Sequence, residues 1–442
     1  MKNKYINAAS EVIDFIDKSP TVFQAVHNIS EKLEKNGYIR LSESEKWDVK
    51  PGGKYFVTRN MSSIIAICLP EKLNIGGFMA VASHGDSPCF KIKPNPEMTV
   101  CGEYLKLNIE KYGGMICSTW FDRPLSIAGR VLVSTDNGVE ARLINFDKNI
   151  AVIPSLAIHM NRSVNDGYSY NAQKDMLPLI CGGGEKDAFC KLLKKAAADG
   201  EKAEVLGTDL FLYNREKGVI AGAEDEFFLS PRIDNLECAY LSLKALLESK
   251  PSGSAKVYCV FDNEEVGSGT KQGAKSTFLY DVLFRISAGI GMDEAEFIRT
   301  LASSFMLSAD NGHAVHPNYE EKACPTNKPV LNGGVVIKYN AQQKYTTDAV
   351  SEAVFKRICD AEKVPYQEYV NRSDVPGGST LGNLSGEHIS INTADIGLAQ
   401  LAMHSCYETA GVKDVTYMSD AMRRFYETEL VAKADGVFNV VL

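Results

Sequence analysis

The sequence predicts an α/β protein in which helices sandwich a mixed sheet that an inserted, mostly β region interrupts. Three observations predict it. Short, almost wholly apolar runs at Gly77–Ser83, Lys256–Phe261 and Phe305–Ser308 end abruptly in polar residues, as buried strands of an open α/β sheet do. Helical patterns alternate with such runs near both ends of the chain. Between Pro88 and Glu226 the texture changes to short alternating runs separated by Gly and Asn turns.

The elements follow in order. A helix is expected over Ile6–Lys18, broken by Ser19-Pro20, and a second from the cap Thr21 to about Asn36. Strands are expected at Lys54–Thr58, Ser63–Cys68 and Gly77–Ser83. The alternating region offers Tyr104–Ile109, Arg130–Ser134 and Val139–Ile144, interrupted by a helix over Glu185–Ala198. After Ser230-Pro231 come a helix at Asn235–Ser249, a strand at Lys256–Phe261, and helical segments holding Asp281–Arg285 and Asp293–Ser303. Then follow strands at Phe305–Ser308 and Gly334–Tyr339, a helix at Thr347–Ala361, a strand at His388–Asn392 and a helix at Ile396–Ala410. Residues Asn311–Asn332 read as an ordered polar loop. The division is a discontinuous domain of residues 1–87 and 230–442 around an insertion of residues 88–229.

Composition narrows the function classes. The 442 residues carry 45% hydrophobic and 24% charged side chains, enough for a sizeable core and far from a disordered composition. A net charge of −8 argues against nucleic acid as partner. No apolar run approaches a membrane span and no secretory leader is visible, so a soluble cytoplasmic protein is expected. The 11 cysteines form no Cys-x-x-Cys pair and several sit in apolar runs, which reads as buried free thiols. The run Cys181-Gly182-Gly183-Gly184 lacks the following Lys-Ser or Lys-Thr of a phosphate loop, and no serine-hydrolase elbow is present.

The chemistry-bearing residues sit at strand ends. His84 and Asp86 follow one apolar strand, Asp262, Glu264 and Glu265 a second, and Asp310 a third; Asp234 opens a helix, and His404 is expected within one. In an open α/β sheet these ends converge on one crevice. So many acids repel one another unless cations neutralise them. Imidazole and carboxylate without thiolate suit zinc, cobalt or manganese and fit calcium poorly. His84, His404, Asp234, Glu265 and Asp310 could serve two metals if one carboxylate bridges. Glu264 is left over, beside a ligand, as a proton acceptor for water. Singly, each has a plainer role: a helix cap, a solvated acidic pair, a core histidine.

These residues also carry a resemblance. Ala82-Ser83-His84-Gly85-Asp86-Ser87-Pro88, Phe261-Asp262-Asn263-Glu264-Glu265-Val266-Gly267-Ser268, Ser308-Ala309-Asp310-Asn311 and Leu401-Ala402-Met403-His404-Ser405 resemble, in order, signatures of the M18 aminopeptidases, the aspartyl aminopeptidase family. Ser19-Pro20-Thr21, Pro154-Ser155-Leu156-Ala157-Ile158-His159 and Arg232-Ile233-Asp234-Asn235 extend the likeness over nearly the whole chain. The resemblance implies a zinc-peptidase core with two zinc ions: His84, Asp234 and Asp310 on one, with the bridging Asp234, Glu265 and His404 on the other. It implies Glu264 as general base and Asp86 as the acid that orients His84. His159 would reach a neighbouring subunit's site and help stabilise the oxyanion, although a three-histidine site with His84 and His404 stays open. The resemblance further implies a homo-oligomer, a dodecamer built from dimers.

The reaction implied is release of N-terminal residues from peptide substrates. Lys338, by pattern alone an exposed snorkelling lysine, would by resemblance meet an acidic first side chain, and Tyr345 could line the same region. N-terminal Asp or Glu is therefore the expected preference, with broad or leucine-type cleavage as the alternative. Two rivals are a two-zinc carboxypeptidase or amidohydrolase and a non-enzymatic metal-binding scaffold. Gln24 stands where relatives often carry histidine, and the turn Asn371–Thr380 shows small changes; neither touches an expected ligand.

Overall fold

The computed structural model describes residues 2–72, 75–183, 187–197 and 204–442. Within them, nine strands form the central sheet, in the order Ile39–Leu41, Lys54–Arg59, Ser63–Cys68, Ala255–Phe261, Phe78–His84, Phe305–Ala309, Asn392–Gly397, Val335–Tyr339 and Tyr366–Val370. It is mixed. Ser63–Cys68 runs antiparallel to Ala255–Phe261, whereas Ala255–Phe261, Phe78–His84, Phe305–Ala309 and Asn392–Gly397 are mutually parallel neighbours. Every residue of Phe78–His84, Ala255–Phe261 and Phe305–Ala309 is buried, which is why these strands lack polar alternation. One face packs on the helices Lys2–Asp17, Ile233–Glu248 and Val412–Glu427 through Phe15, Leu236, Met418 and Phe425. The other packs on Phe278–Gly289 and Glu294–Ala302 through Phe278, Leu283 and Phe297.

A six-stranded antiparallel sheet, in the order Gly138–Asn145, Leu125–Thr135, Val205–Asn214, Cys89–Val100, Tyr104–Tyr112 and Leu179–Gly182, encloses a separate core around Phe90, Trp120, Ile127 and Leu212. A five-stranded sheet joins Val219–Ala221 and Phe227–Ser230 to Glu408–Gly411, Ala399–Leu401 and Gly312–His313. The architecture is therefore the expected mixed α/β core with an additional β-rich region. No helix among the described residues is long and apolar enough to cross a membrane.

Two expectations near the C-terminal end are corrected. The run read as a helix over Ile396–Ala410 is strand, turn and strand, and the helix begins only at Val412. Its first part, Ile396–Ala399, is buried throughout, so the pattern there does not separate strand from helix. Gly397 shows the reason for the close packing: a Cβ there would lie 1.9 Å from the Asp310 carbonyl oxygen. His404 consequently sits in a turn, at φ +65°. The strand expected at His388–Asn392 starts instead at Asn392. Thr21 stands at the start of the Val22–Lys35 helix but makes no side-chain capping bond, its hydroxyl being taken by the Gln24 side chain. The helix expected over Glu185–Ala198 is Ala188–Ala196, and its expected ends fall outside the described residues. All cysteines are free, but only Cys238, Cys259, Cys359 and Cys406 are fully buried, while Cys101 and Cys190 are exposed.

Candidate metal centre

Register brings the site together. Phe261 pairs with His84, and Ser308 pairs with Ala82, so the residues just beyond these strands emerge side by side. Asp234 enters from the start of Ile233–Glu248, where its φ/ψ of −77°/108° is not helical and its peptide to Asn235 is cis. Asn263, at φ +63°, starts the short turn that carries Glu264 and Glu265.

The donors cluster tightly. His84 Nε2 lies 3.5 Å from Asp234 Oδ1 and 3.4 Å from Asp310 Oδ1. His404 Nε2 lies 3.5 Å from Asp234 Oδ2 and 3.4 Å from Glu265 Oε2. The two oxygens of Asp234 are thus divided between two donor triads. These separations are long for hydrogen bonds. They match the edge of a tetrahedron, about 3.3–3.4 Å, around an ion with bonds of about 2.0–2.1 Å.

Each imidazole is aimed by its other nitrogen. His84 Nδ1 faces the Asp86 carbonyl at 3.0 Å and its Oδ1 at 3.4 Å. His404 Nδ1 lies 2.7 Å from the Gly114 carbonyl. Both tautomers therefore leave Nε2 free to ligate. Asp86 also accepts the backbone N–H groups of Glu264 and Glu265, at 3.2 and 3.1 Å.

Charge balance demands cations. Burial, with the neighbouring Asp310, Asp86 and Asp234 adding to it against the pull of His84, pushes Glu264 up to about 8. Burial and Asp234 likewise raise Glu265. Burial opposes protonation of His404, but Asp234 and Glu265 outweigh it and carry the imidazole to about 10. The field of these carboxylates is one that attracts positive charge. Asp234 Oδ1 and Glu265 Oε1 are moreover buried without any hydrogen-bond partner. Orphaned carboxylate oxygens in a nitrogen–oxygen cage fit a divalent ion. The centre is built to hold one or more divalent metal ions.

The comparisons agree with this geometry. The sequence profile of the family described as Aminopeptidase I zinc metalloprotease (M18) matches residues 15–426. The chain belongs to the M18 family of metallopeptidases. It is 48% identical over 434 residues to a probable M18 family aminopeptidase 2 of Clostridium novyi, covering 96% of this chain and 100% of that one. Its fold superposes on a chain of the Ape4–Nbr1 complex, solved by cryo-EM, with a TM-score of 0.92 and 36% identity, over 97% of this chain and 86% of that one. Against the S. cerevisiae mApe1 dodecamer the TM-score is 0.83 at 27% identity, over 96% and 97% of the two chains. This M18 chain is thus a metallo-aminopeptidase.

The remaining expected residues fall in two places. Lys338 lies beside the centre and is not a snorkelling surface lysine: it is 1% exposed, with Nζ 3.3 Å from Asp310 Oδ2, donating to the Asn311 carbonyl and 5.3 Å from the Tyr345 ring. His159 does not join the donor groups, so no three-histidine cluster forms among the described residues. It sits in an exposed turn with Leu156, Ile158 and Met160.

Besides the Gly114 carbonyl, sequence reading missed two side chains. Glu408, buried, accepts the backbone N–H of Asp234 at 3.1 Å and of His404 at 2.8 Å. Tyr112 donates from its hydroxyl to Asp86 Oδ2 at 2.7 Å. The only available signals were a glutamate four residues past His404 and a tyrosine before Gly113-Gly114.

Proposed function

We propose that this M18 enzyme is a two-zinc aminopeptidase that prefers peptides beginning with Asp or Glu. The observation that carries the reading is the division of Asp234 between His84 and His404. In it, His84, Asp234 and Asp310 hold one ion, and Asp234, Glu265 and His404 the other; cobalt or manganese could substitute. When bound, the ions supply Lewis-acid charge that polarises the scissile carbonyl and acidifies water.

The chain's own groups do the rest. Glu264 takes the proton of the attacking water and returns it to the leaving amine. Asp86 holds the His84 ring and the backbone beneath Glu264. A free N-terminal amine binds among the carboxylates, which makes the reaction an exopeptidase one. Lys338 has three N–H groups, of which Asp310 and Asn311 take two, leaving one for an acidic substrate side chain beside Tyr345.

The insertion, residues 88–229, supplies the assembly. The exposed turn around His159 suits contact with another subunit, where His159 would help stabilise the oxyanion. The mApe1 relative is a dodecamer, which supports a homo-oligomer of that kind.

The test compares kcat/KM on Asp-, Glu- and Leu-initiated peptides, free and N-blocked. Acidic peptides should lead, N-blocked ones should be inert, and Lys338→Glu should lower kcat/KM most on the acidic peptides. Leucine peptides leading in the unaltered enzyme would replace the acidic preference with the leucine-type one. Cleavage of N-blocked peptides would favour the carboxypeptidase class.

A further inference from the structure

The six-stranded sheet does more than flank the centre. Its strand Tyr104–Tyr112 runs out toward the metal donors, and the next residues cross them as a strap. Tyr112 Oη donates to Asp86 Oδ2 at 2.7 Å and accepts from Asn263 Nδ2 at 2.9 Å. Those two partners control the Glu264 turn. Asp86 receives the backbone N–H groups of Glu264 and Glu265, and Asn263 is the residue from which the turn starts.

The strap then reaches the other side of the site. Gly113, at φ +75°, packs so close that a Cβ there would lie 3.1 Å from the Glu265 Cβ. The Gly114 carbonyl accepts from His404 Nδ1 at 2.7 Å. The Ile116 N–H donates to the His404 carbonyl at 3.0 Å, and the Cys406 N–H donates to Thr119 Oγ1 at 2.9 Å. The turn that carries His404 is thus pinned at three points by residues of the β-rich region.

We propose that Tyr112–Ile116 is a positioning strap, in which Tyr112 aligns Glu264 through Asp86 and Asn263 while Gly113 and Gly114 seat Glu265 and His404. The Tyr112 half rests on the reading of Glu264 as the general base. Docking of the six-stranded sheet is then a condition for an aligned base, not only a matter of assembly. The two halves of the strap act on different properties. Tyr112 touches no expected ligand, so it sets turnover. A side chain at Gly113 would crowd Glu265, an expected ligand, so this position sets metal retention.

Two neighbouring substitutions separate these effects. Tyr112→Phe keeps the ring, which packs edge-on against Phe211, and removes only the hydroxyl. It should lower kcat about tenfold, the rate equivalent of one lost hydrogen bond, with KM and zinc affinity within about twofold of the unaltered enzyme. Gly113→Ala should weaken zinc about tenfold in chelator competition on the resting protein, through strain at positive φ and crowding of Glu265, with kcat restored by excess zinc. In a Glu264→Gln background, Tyr112→Phe should cost nothing further.

An unchanged kcat in Tyr112→Phe, a deficit cured by zinc, or an undiminished further loss in the Glu264→Gln background would overturn the Tyr112 half. Unaltered zinc affinity in Gly113→Ala would overturn the other. Full activity in Glu264→Gln would instead remove the base reading itself, and the Tyr112 alignment with it, leaving the zinc arm to decide the strap.

Discussion

The central and the six-stranded sheets reach the metal centre in different ways. Phe78–His84, Ala255–Phe261 and Phe305–Ala309 are buried throughout, and each turns polar at its carboxyl end, where the donors lie. The strands Cys89–Val100, Leu125–Thr135 and Gly138–Asn145 run out to exposed, partly polar ends and place none of the clustered donors. Their region instead contributes a hydroxyl and a carbonyl, at Tyr112 to Asp86 and at Gly114 to His404. The contrast teaches that the parallel strand ends supply His84, Glu265 and Asp310 to the cluster, with Asp234 added from a helix start and His404 from a turn of the five-stranded sheet, while the separately cored region supplies partners that aim them.

The sharpest way to break this contrast is Asp234→Asn. The side chain keeps its size but loses the charge that faces both histidines. If one residue of the central region serves both triads, zinc stoichiometry should fall at both sites together. Activity should drop well beyond the roughly 10–100-fold typical of an outer partner. Elemental analysis after dialysis checks it; loss of half the metal, with the other half retained at full affinity, would show that the triads are independent.

The second prediction concerns Glu408, which orients from within the five-stranded sheet. Its Oε2 accepts from the Asp234 N–H, and its Oε1 from the His404 N–H and from Gln400 Nε2. In Glu408→Gln an amide NH₂ must face one of these donors, so one bond is lost and a repulsion takes its place. Zinc affinity should weaken roughly 10–100-fold, with the fold retained. Chelator competition measures it, and an affinity equal to the unaltered enzyme would remove Glu408 from the positioning set.

The difference between the regions also explains what could be read from residues alone. His84, Asp234, Glu264, Glu265 and Asp310 were legible because the apolar strand ends or helix start beside them are contiguous in sequence. His404 was recognised by its motif but placed on the wrong element. Its flanking strands, Ala399–Leu401 and Glu408–Gly411, are too short to show a period of two, and the φ +65° turn that presents it has no local signature beyond small residues. Tyr112, Gly114 and Glu408 were not legible, because each acts through a partner far away in the chain. The hydrogen bond from Tyr112 spans 26 residues and that from His404 to Gly114 spans 290, and no period or spacing records such contacts. Lys338 was placed at the right strand end, but its burial beside Asp310 depends on the neighbouring strands covering it.

The smallest predicted effect lies at the seam between the two sheets. Asp209 accepts from Lys91 at 2.9 Å and from Arg130 Nε at 3.0 Å, and Arg130 in turn donates to the carbonyl of Asn60 at 2.6 Å and stacks over Phe23. Burial opposes the Asp209 charge, but the Lys91 and Arg130 bonds outweigh it and hold the carboxyl below its usual range. A carboxyl depressed in the folded state contributes stability above the unfolded value of about 3.9, and loses it as pH falls through the folded one. Asp209→Asn should therefore cost about 1–2 kcal/mol at neutral pH, and the gap in melting temperature should hold from pH 8 to 5 and narrow below about pH 4. Metal-free protein gives the cleanest reading, because zinc ligation also titrates in acid. A gap absent at pH 7, or unchanged on going below pH 4, would mean that the seam is held by the apolar contacts of Phe23 and Phe211 and not by this ion pair.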